Sequence, residues 1–133
     1  MKTLDPFPSA EIEKIDLLII AGEASGDEHG SLLVEDLLRR KPGLSVSALG
    51  GPGLKAKGAS LLFNLVDHSV VGIFEVLKNY GFFKRLFRQT LDWIEEKKPK
   101  VILLIDYPGF NLRLAKALKE RGLSAKGGGE IRI

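Results

Sequence analysis

The chain has 133 residues, of which 44% are hydrophobic and 28% are charged, and its formal net charge is +3. This size and composition are those of one globular domain at most, and the charge is too small and dispersed for a nucleic-acid-binding surface, so no nucleic acid partner is expected. The absence of cysteine excludes a disulfide framework and thiolate zinc sites, which fits a cytoplasmic protein.

The first predicted element is a strand that follows a leader of residues 1–14. The leader carries three acidic residues and two prolines, so it lacks the basic and apolar regions of a signal peptide. The run Ile15–Ala21, continuously apolar after its first two residues, ends at Gly22 and predicts a strand buried on both faces. A helix is expected over Glu28–Arg40, with Asp27 as its N-cap.

The spacing of the remaining apolar residues predicts that strands and helices alternate. Further strands are expected at Ser45–Leu49, Ser60–Phe63 and Val101–Ile105. Helices are expected in a short stretch ending at Lys57, and over Phe82–Lys97 and Leu112–Arg121, with Gly122 at the C′ position of the last. The glycines of Lys126–Gly129 predict a turn, and Glu130–Ile133 the beginning of a strand. Strands separated by helices imply right-handed parallel crossovers, so the predicted fold is α/β, a Rossmann-like open parallel sheet with flanking helices.

The turn after the first strand is a candidate ligand site, because ligands bind beyond the carboxyl ends of parallel strands. It contains Glu23, Ser25, Gly26 and Asp27. Its backbone N–H groups and the dipole of the following helix favour an anion such as phosphate, although the glycine spacing matches neither a dinucleotide fingerprint nor a P-loop. In the alternative interpretation Asp27 only caps the helix, Ser25 forms the turn and Glu23 is solvated.

A second candidate site follows the strand at Val101–Ile105. Asp106 comes directly after five apolar residues, so we expect it at a strand end in partly desolvated surroundings, which raise the pKa of a carboxyl group and suit a general base. The alternative is a turn or capping aspartate before Pro108. Asn111 either binds sugar hydroxyls through its amide or caps the following helix.

An aromatic and basic segment between these loops suggests a membrane surface. An apolar helix face flanked by Lys and Arg can lie in a bilayer interface, and no apolar run approaches the roughly 20 residues that span one, so membrane contact is expected to be peripheral. The alternative is an amphipathic helix that packs on the sheet with its cations solvated, and we expect a mixture of both roles. The residues expected to contact membrane or acyl chains are Ile73, Phe74, Leu77, Phe82, Phe83, Lys84, Arg85, Phe87 and Arg88.

The chain has two histidines, His29 and His68. Neither has a metal-ligand partner at a recognisable spacing, so both are assigned to structure or to the surface. No metal or cofactor is expected.

Four segments, in this order, resemble the N-terminal domain of lipid-A-disaccharide synthases. They are AGEASGD at 21–27, GGPGLKAKG at 50–58, VGIFEVL at 71–77 and IDYPGFN at 105–111. The resemblance covers about Ile15–Gly122. The chain departs from the usual family pattern at Gly53-Leu54, where Arg-Met is common, and at Gly109, where a second aspartate is common.

The resemblance implies an inverting glycosyltransferase of the GT-B type, with two Rossmann-like domains, peripheral to the cytoplasmic face of the inner membrane of Gram-negative bacteria. Such enzymes join a UDP-linked diacylated glucosamine to a diacylated glucosamine 1-phosphate through a β-1′,6 linkage, release UDP and need no metal. By motif match, the resemblance implies that Asp106 is the base, that Glu23 and Ser25 lie near the reacting sugars, and that Asn111 is the terminal asparagine of its motif. It also implies that Ile73–Phe87 contacts membrane and acyl chains.

On this basis residues 15–133 are expected to be a partial acceptor-side domain, with the second domain absent and no turnover by this chain alone. The alternative is a non-catalytic lipid-binding or membrane-surface α/β module. The sequence predicts neither the oligomeric state nor the preferred acyl chain.

Overall fold

The computed structural model describes residue 7, residues 14–67 and residues 80–133. Four parallel strands form one sheet in the order β3-β2-β1-β4. The strands are β1 (Leu17–Ala21), β2 (Val46–Gly50), β3 (Ser60–Asn64) and β4 (Val101–Ile105). The helices are α1 (Ala24–Arg40), α2 (Pro52–Ala56), α3 (Tyr80–Lys97) and α4 (Pro108–Glu120), followed by a 3₁₀ turn at Ala125–Gly127. The predicted α/β class is confirmed.

Strand β1 lies inside the sheet and separates two apolar cores. Alternate side chains of a strand point to opposite faces. Leu18 and Ile20 therefore join a core that includes residues of α3 and α4, whereas Leu17, Ile19 and Ala21 join a core that includes residues of α1 and α2. All five residues of β1 are buried, as the continuous apolar run predicts.

The edge strand β4 is less buried than the sequence predicts. Its apolar run resembles that of β1, yet only Ile102 is buried and Val101 is exposed. Within the described part of the chain, β4 pairs with one full strand, β1, and only a single bridge from Arg132 to Val101 lies on its other side. An edge position leaves the outer side of a strand open, which the composition of the strand does not reveal.

Two helices begin four residues earlier than predicted. Helix α1 begins at Ala24 with Glu23 as its N-cap, so the prediction that Asp27 caps this helix is wrong. Helix α4 begins at Pro108, and proline is favoured in the first turn of a helix. The first turn of α1 carries small and polar residues, whereas that of α4 begins with proline and glycine before the buried Phe110. Gly26, for example, packs so closely on Ile105 that an added Cβ would lie 3.1 Å from its Cγ2.

The C-terminal residues fold back beside β4. The predicted turn is confirmed as the 3₁₀ turn, and Gly122, with φ of +71°, ends α4 as expected. The predicted strand beginning at 130 is limited to isolated parallel bridges made by Ile131 and Arg132. Two hydrogen bonds join Arg132 to the chain at β4: the Ile102 N–H donates to the Arg132 carbonyl at 2.8 Å, and the Arg132 N–H donates to the Lys100 carbonyl at 3.0 Å.

Several predicted residues lie outside the described ranges. These are His68, Ile73, Phe74 and Leu77, with most of the leader. Among the helices that the structure does describe, none is both long enough and apolar enough to span a bilayer.

Candidate functional site

The two predicted loops leave the same edge of the sheet. Strands β1 and β4 are parallel neighbours, and Ala21 is in register with Ile105. The residues that follow, Gly22 on one strand and Asp106 on the other, therefore emerge side by side at the carboxyl ends, where open α/β sheets bind ligands.

Direct packing joins the two loops through Gly22 and Tyr107. A Cβ added at Gly22 would overlap the Tyr107 ring, so the absence of a side chain at position 22 makes room for the tyrosine. The ring also meets Phe110, with centroids 5.9 Å apart. Burial raises the pKa of the Tyr107 phenol above its usual value, and the negative charge of Glu23 adds to this effect. The phenol therefore stays neutral to higher pH than an exposed tyrosine.

We expect Gly22→Ala to destabilise the chain by about 1–3 kcal/mol, because the new methyl group forces the Tyr107 ring to move. Urea unfolding measures the change. Gly109→Ala is the matched control, since no described atom lies within 4 Å of its added Cβ, and alanine is the better helix former. An equal loss of stability in both variants would show that the Tyr107 contact is not the cause.

Asp106 lies on the rim of this edge and is exposed, so the expected desolvated surroundings are not found. Asp106 directly follows β4, and β4 is an edge strand, which explains the exposure. Within the described residues its carboxylate has no hydrogen-bond or ion-pair partner, and the N-cap of α4 is Tyr107, so Asp106 does not cap the helix. Both oxygens are open to a ligand.

Asn111 lies behind Asp106 and is only 3% exposed. Its Nδ2 donates to the Asp106 carbonyl at 2.6 Å and to the Ile105 carbonyl at 3.5 Å. Its Oδ1 is buried and has no hydrogen-bond partner among the described residues. The amide therefore binds the end of β4, and it does not occupy the helix-capping position of the alternative interpretation.

Asp27 is buried and caps a helix other than its own. Its Oδ1 accepts hydrogen bonds from the N–H groups of Gly51 and Leu54 at 2.8 and 3.0 Å, and its Oδ2 accepts one from Gly53 at 2.9 Å. These donors belong to the first turn of α2, whose own N-cap, Gly51, supplies no side-chain hydrogen bond. Asp27 thus supplies the missing cap from α1.

The glycines of the turn at 50–53 make room for this carboxylate. A Cβ at Gly51 would lie 2.9 Å from Asp27 Cγ, and one at Gly53 would lie 2.6 Å from Oδ2. Gly53 is one of the positions where the chain departs from the usual family pattern, and here the missing side chain leaves space for Asp27.

The remaining residues of the first loop differ in accessibility. Glu23 and Ser25 are exposed at the rim, whereas Gly26 is buried against β4. His29 is exposed on α1. In the described part of the chain no group of three or more His, Cys, Asp or Glu side chains is arranged to hold a metal ion.

The aromatic residues of α3 combine packing with exposure. Phe82, Phe83 and Phe87 are half-buried, and the Phe87 ring packs edge-on against Phe110 with centroids 5.4 Å apart. Their basic neighbours are exposed: Lys84, Arg85 and Arg88. Helix α3 therefore combines partly covered rings with three exposed cations, which we call the basic face of α3.

A cavity of about 680 Å³ lies at the other end of β4. It is lined in part by Lys98, Lys100, Leu123 and Arg132, so it opens near the amino end of the strand. None of its lining residues belongs to the two loops, so the cavity is separate from them. It also lies at the end of the sheet opposite to the one where open parallel sheets bind ligands.

Sequence reasoning assigned no role to Gly22 or Tyr107. Both stand inside the quoted motifs, but only the parallel pairing of β1 with β4 brings them together. A glycine directly after a buried strand was the available signal, because such a glycine often marks a close approach of another group.

Comparison with known proteins agrees with this arrangement. The family described as lipid-A-disaccharide synthetase matches residues 17–126. The chain is 44% identical over 107 residues to the lipid-A-disaccharide synthase of Myxococcus xanthus and 40% identical to that of Geobacter metallireducens, in each case over 80% of this chain and 28% of the relative. It is 38% identical to lipid-A-disaccharide synthase 1 of Legionella pneumophila, over 79% of this chain and 27% of the relative. The chain thus spans little more than a quarter of the length of these relatives.

Proposed function

The chain belongs to the lipid-A-disaccharide synthase family, and we propose that it forms the acceptor side of a glycosyltransferase in lipid A biosynthesis. The donor is a UDP-linked diacylated glucosamine and the acceptor a diacylated glucosamine 1-phosphate. The observation that carries the proposal is the convergence of the two motif loops at the carboxyl ends of β1 and β4.

Asp106 is the general base of the proposed reaction. The acceptor hydroxyl oxygen forms a bond to the anomeric carbon of the donor as the bond from that carbon to UDP breaks. The hydroxyl proton passes to the Asp106 carboxylate, and the single displacement inverts the configuration to give a β-1′,6 linkage. An exposed carboxylate without a partner among the described residues is free to accept this proton.

The other loop residues divide into two proposed roles. Glu23 and Ser25, exposed on the rim, bind sugar hydroxyls. The N–H groups of the first turn of α1, which includes Gly26, favour an anionic group at the same edge. Asp27 and Asn111 shape the loops from within, because their side chains are buried and their hydrogen bonds go to backbone groups.

Nearly three quarters of each relative's length lies outside the match. We propose that this remainder supplies the UDP site and stabilises the leaving diphosphate, a large contribution to catalysis in most enzymes. The 133-residue chain alone is then expected to bind acceptor without turnover.

A chimera tests this proposal. In it, the 107 matching residues of this chain replace the corresponding segment of the Myxococcus xanthus relative, and UDP release and disaccharide formation are measured with both substrates. We expect turnover by the chimera and none by the 133-residue chain. A folded chimera that makes no disaccharide would contradict the synthase proposal, and UDP release by the short chain would contradict the division of roles.

We further propose that the basic face of α3 rests on an anionic membrane surface. Each basic residue near such a surface contributes about 1 kcal/mol. We therefore expect the charge reversals Lys84→Glu and Arg88→Glu together to weaken sedimentation with phosphatidylglycerol vesicles by more than about tenfold. Both side chains are exposed, so the fold is retained.

The matched control reverses Lys41 and Lys55, which are exposed on the α1 and α2 side of the sheet. Both double variants change the net charge equally. Equal weakening in the two would mean that total charge, rather than the face of α3, attracts the vesicles.

A further inference from the structure

The turn that carries Asp106 has an unfavourable backbone. Asp106 and Tyr107 both have φ of 51°, in the left-handed region. Residues with side chains rarely adopt this region, aspartate more readily than tyrosine, and two in succession persist only where surrounding groups hold them.

Asn111 supplies such a hold. Its Nδ2 donates to the Asp106 carbonyl at 2.6 Å and reaches the Ile105 carbonyl at 3.5 Å, so one amide group spans the end of β4 and the first residue of the turn. The direction of the amide is fixed, because the opposite orientation would place Oδ1 against two carbonyl oxygens.

The same amide carries an unfavourable feature. Its Oδ1 is buried and finds no hydrogen-bond partner in the described part of the chain, whereas a leucine of similar size would bury no unpaired polar atom. The useful part of Asn111 is therefore its donor group, and that group points to the backbone of Asp106.

Tyr107 holds the turn from its other side. Its ring lies between Gly22 and Phe110, and Phe110 in turn packs on Phe87 of α3. The backbone on either side of the Asp106 side chain is thus fixed, while the carboxylate itself stays exposed.

We propose that Asn111 is a positioning residue rather than a substrate ligand, and that its carboxamide holds the left-handed turn in which the Asp106 carboxylate is aimed at the acceptor. The catalytic consequence rests on the proposed function. The hydrogen bond is a feature of the fold and can be tested without any assumption about function.

Hydrogen exchange in the 133-residue chain tests the hydrogen bond. By NMR, we expect one Asn111 carboxamide proton to exchange slowly and to show coupling across the hydrogen bond to the Asp106 carbonyl carbon. The half-buried carboxamide of Asn64, which donates to the exposed Asp67, is the comparison and is expected to exchange faster than that of Asn111. Equally fast exchange at Asn111 would overturn the proposal.

A double-mutant cycle in the chimera tests the catalytic consequence. We expect Asn111→Leu to lower kcat by about tenfold to a hundredfold, since small misplacements of a catalytic group have effects of this size, and to leave the acceptor KM nearly unchanged. If Asn111 acts through Asp106, adding Asn111→Leu to Asp106→Asn lowers kcat no further. Effects that multiply, with a raised acceptor KM, would show that Asn111 binds the acceptor directly and would overturn the proposal.

Thr90→Val is the matched control, because it removes a buried donor to a backbone carbonyl at 2.7 Å on α3. It is expected to leave kcat unchanged. Should Asn111→Leu fail to fold, Asn111→Ser replaces it in the cycle with the same expectation. A chimera without any synthase activity would overturn the proposed function and the catalytic role of Asn111, whereas the exchange measurement would still decide whether the hydrogen bond exists.

Discussion

Replacing Asp106 by asparagine is expected to lower kcat of the chimera by about 10²–10⁴-fold, the usual contribution of a positioned general base. The amide keeps the shape of the side chain but cannot take the hydroxyl proton at neutral pH. Asparagine also adopts the left-handed backbone readily, and the carboxylate it replaces is exposed and unpartnered among the described residues. Stability and KM for both substrates should therefore change little, which steady-state kinetics and thermal unfolding will measure.

Asp92→Asn is the matched control. Asp92 is exposed on α3, where it faces Arg121 at 3.6 Å, and its replacement changes the net charge by the same amount. It is expected to leave kcat unaltered. If Asp106→Asn also leaves kcat unaltered, Asp106 is not the base, and Glu23, exposed at the same edge, becomes the next candidate.

The strands could be predicted closely because their signal is local. A strand of a parallel sheet covered by helices is apolar throughout, so the runs that became β1 and β4 stand out in the sequence. The beginnings of α1 and α4 could not be predicted as well. In α1 the first turn contains glycine, serine and aspartate, so the helical spacing of large apolar residues begins late. In α4 that spacing already begins at Phe110, but the proline and glycine before it are also typical of a loop.

The candidate site was predictable in position but not in detail. That Glu23 and Asp106 follow strands is visible in the sequence, and parallel pairing places them at one edge. Which side chains are exposed depends on partners that are distant along the chain. Asp27 binds backbone groups 24 to 27 residues away, and Asn111 turns back to the end of its preceding strand.

Asp27→Ala is expected to lower the free energy of unfolding by about 3 kcal/mol or more. The variant removes three hydrogen bonds to a buried carboxylate and leaves the first N–H groups of α2 without a partner in a site that water reaches poorly. Asp27→Asn keeps one oxygen, which still accepts two of the three hydrogen bonds, so its loss should be about half as large. Urea unfolding of the 133-residue chain measures both.

Asp36→Ala is the control for this comparison. Asp36 lies on the same helix, but it is partly exposed and pairs with Arg39 and Arg40 at the surface, where ion pairs contribute little to stability. A loss of stability as large as that of Asp27→Ala would mean that removing charge from α1, rather than uncapping α2, is responsible. The expected difference identifies Asp27 as the group that joins the first loop to the glycine turn at 50–53. Because Asp27 takes the N–H groups that begin α2, that helix end has no backbone donors left for a phosphate. Among the described helices that follow β1, β2 and β4, only α1 and α4 can then offer N-terminal N–H groups to an anion.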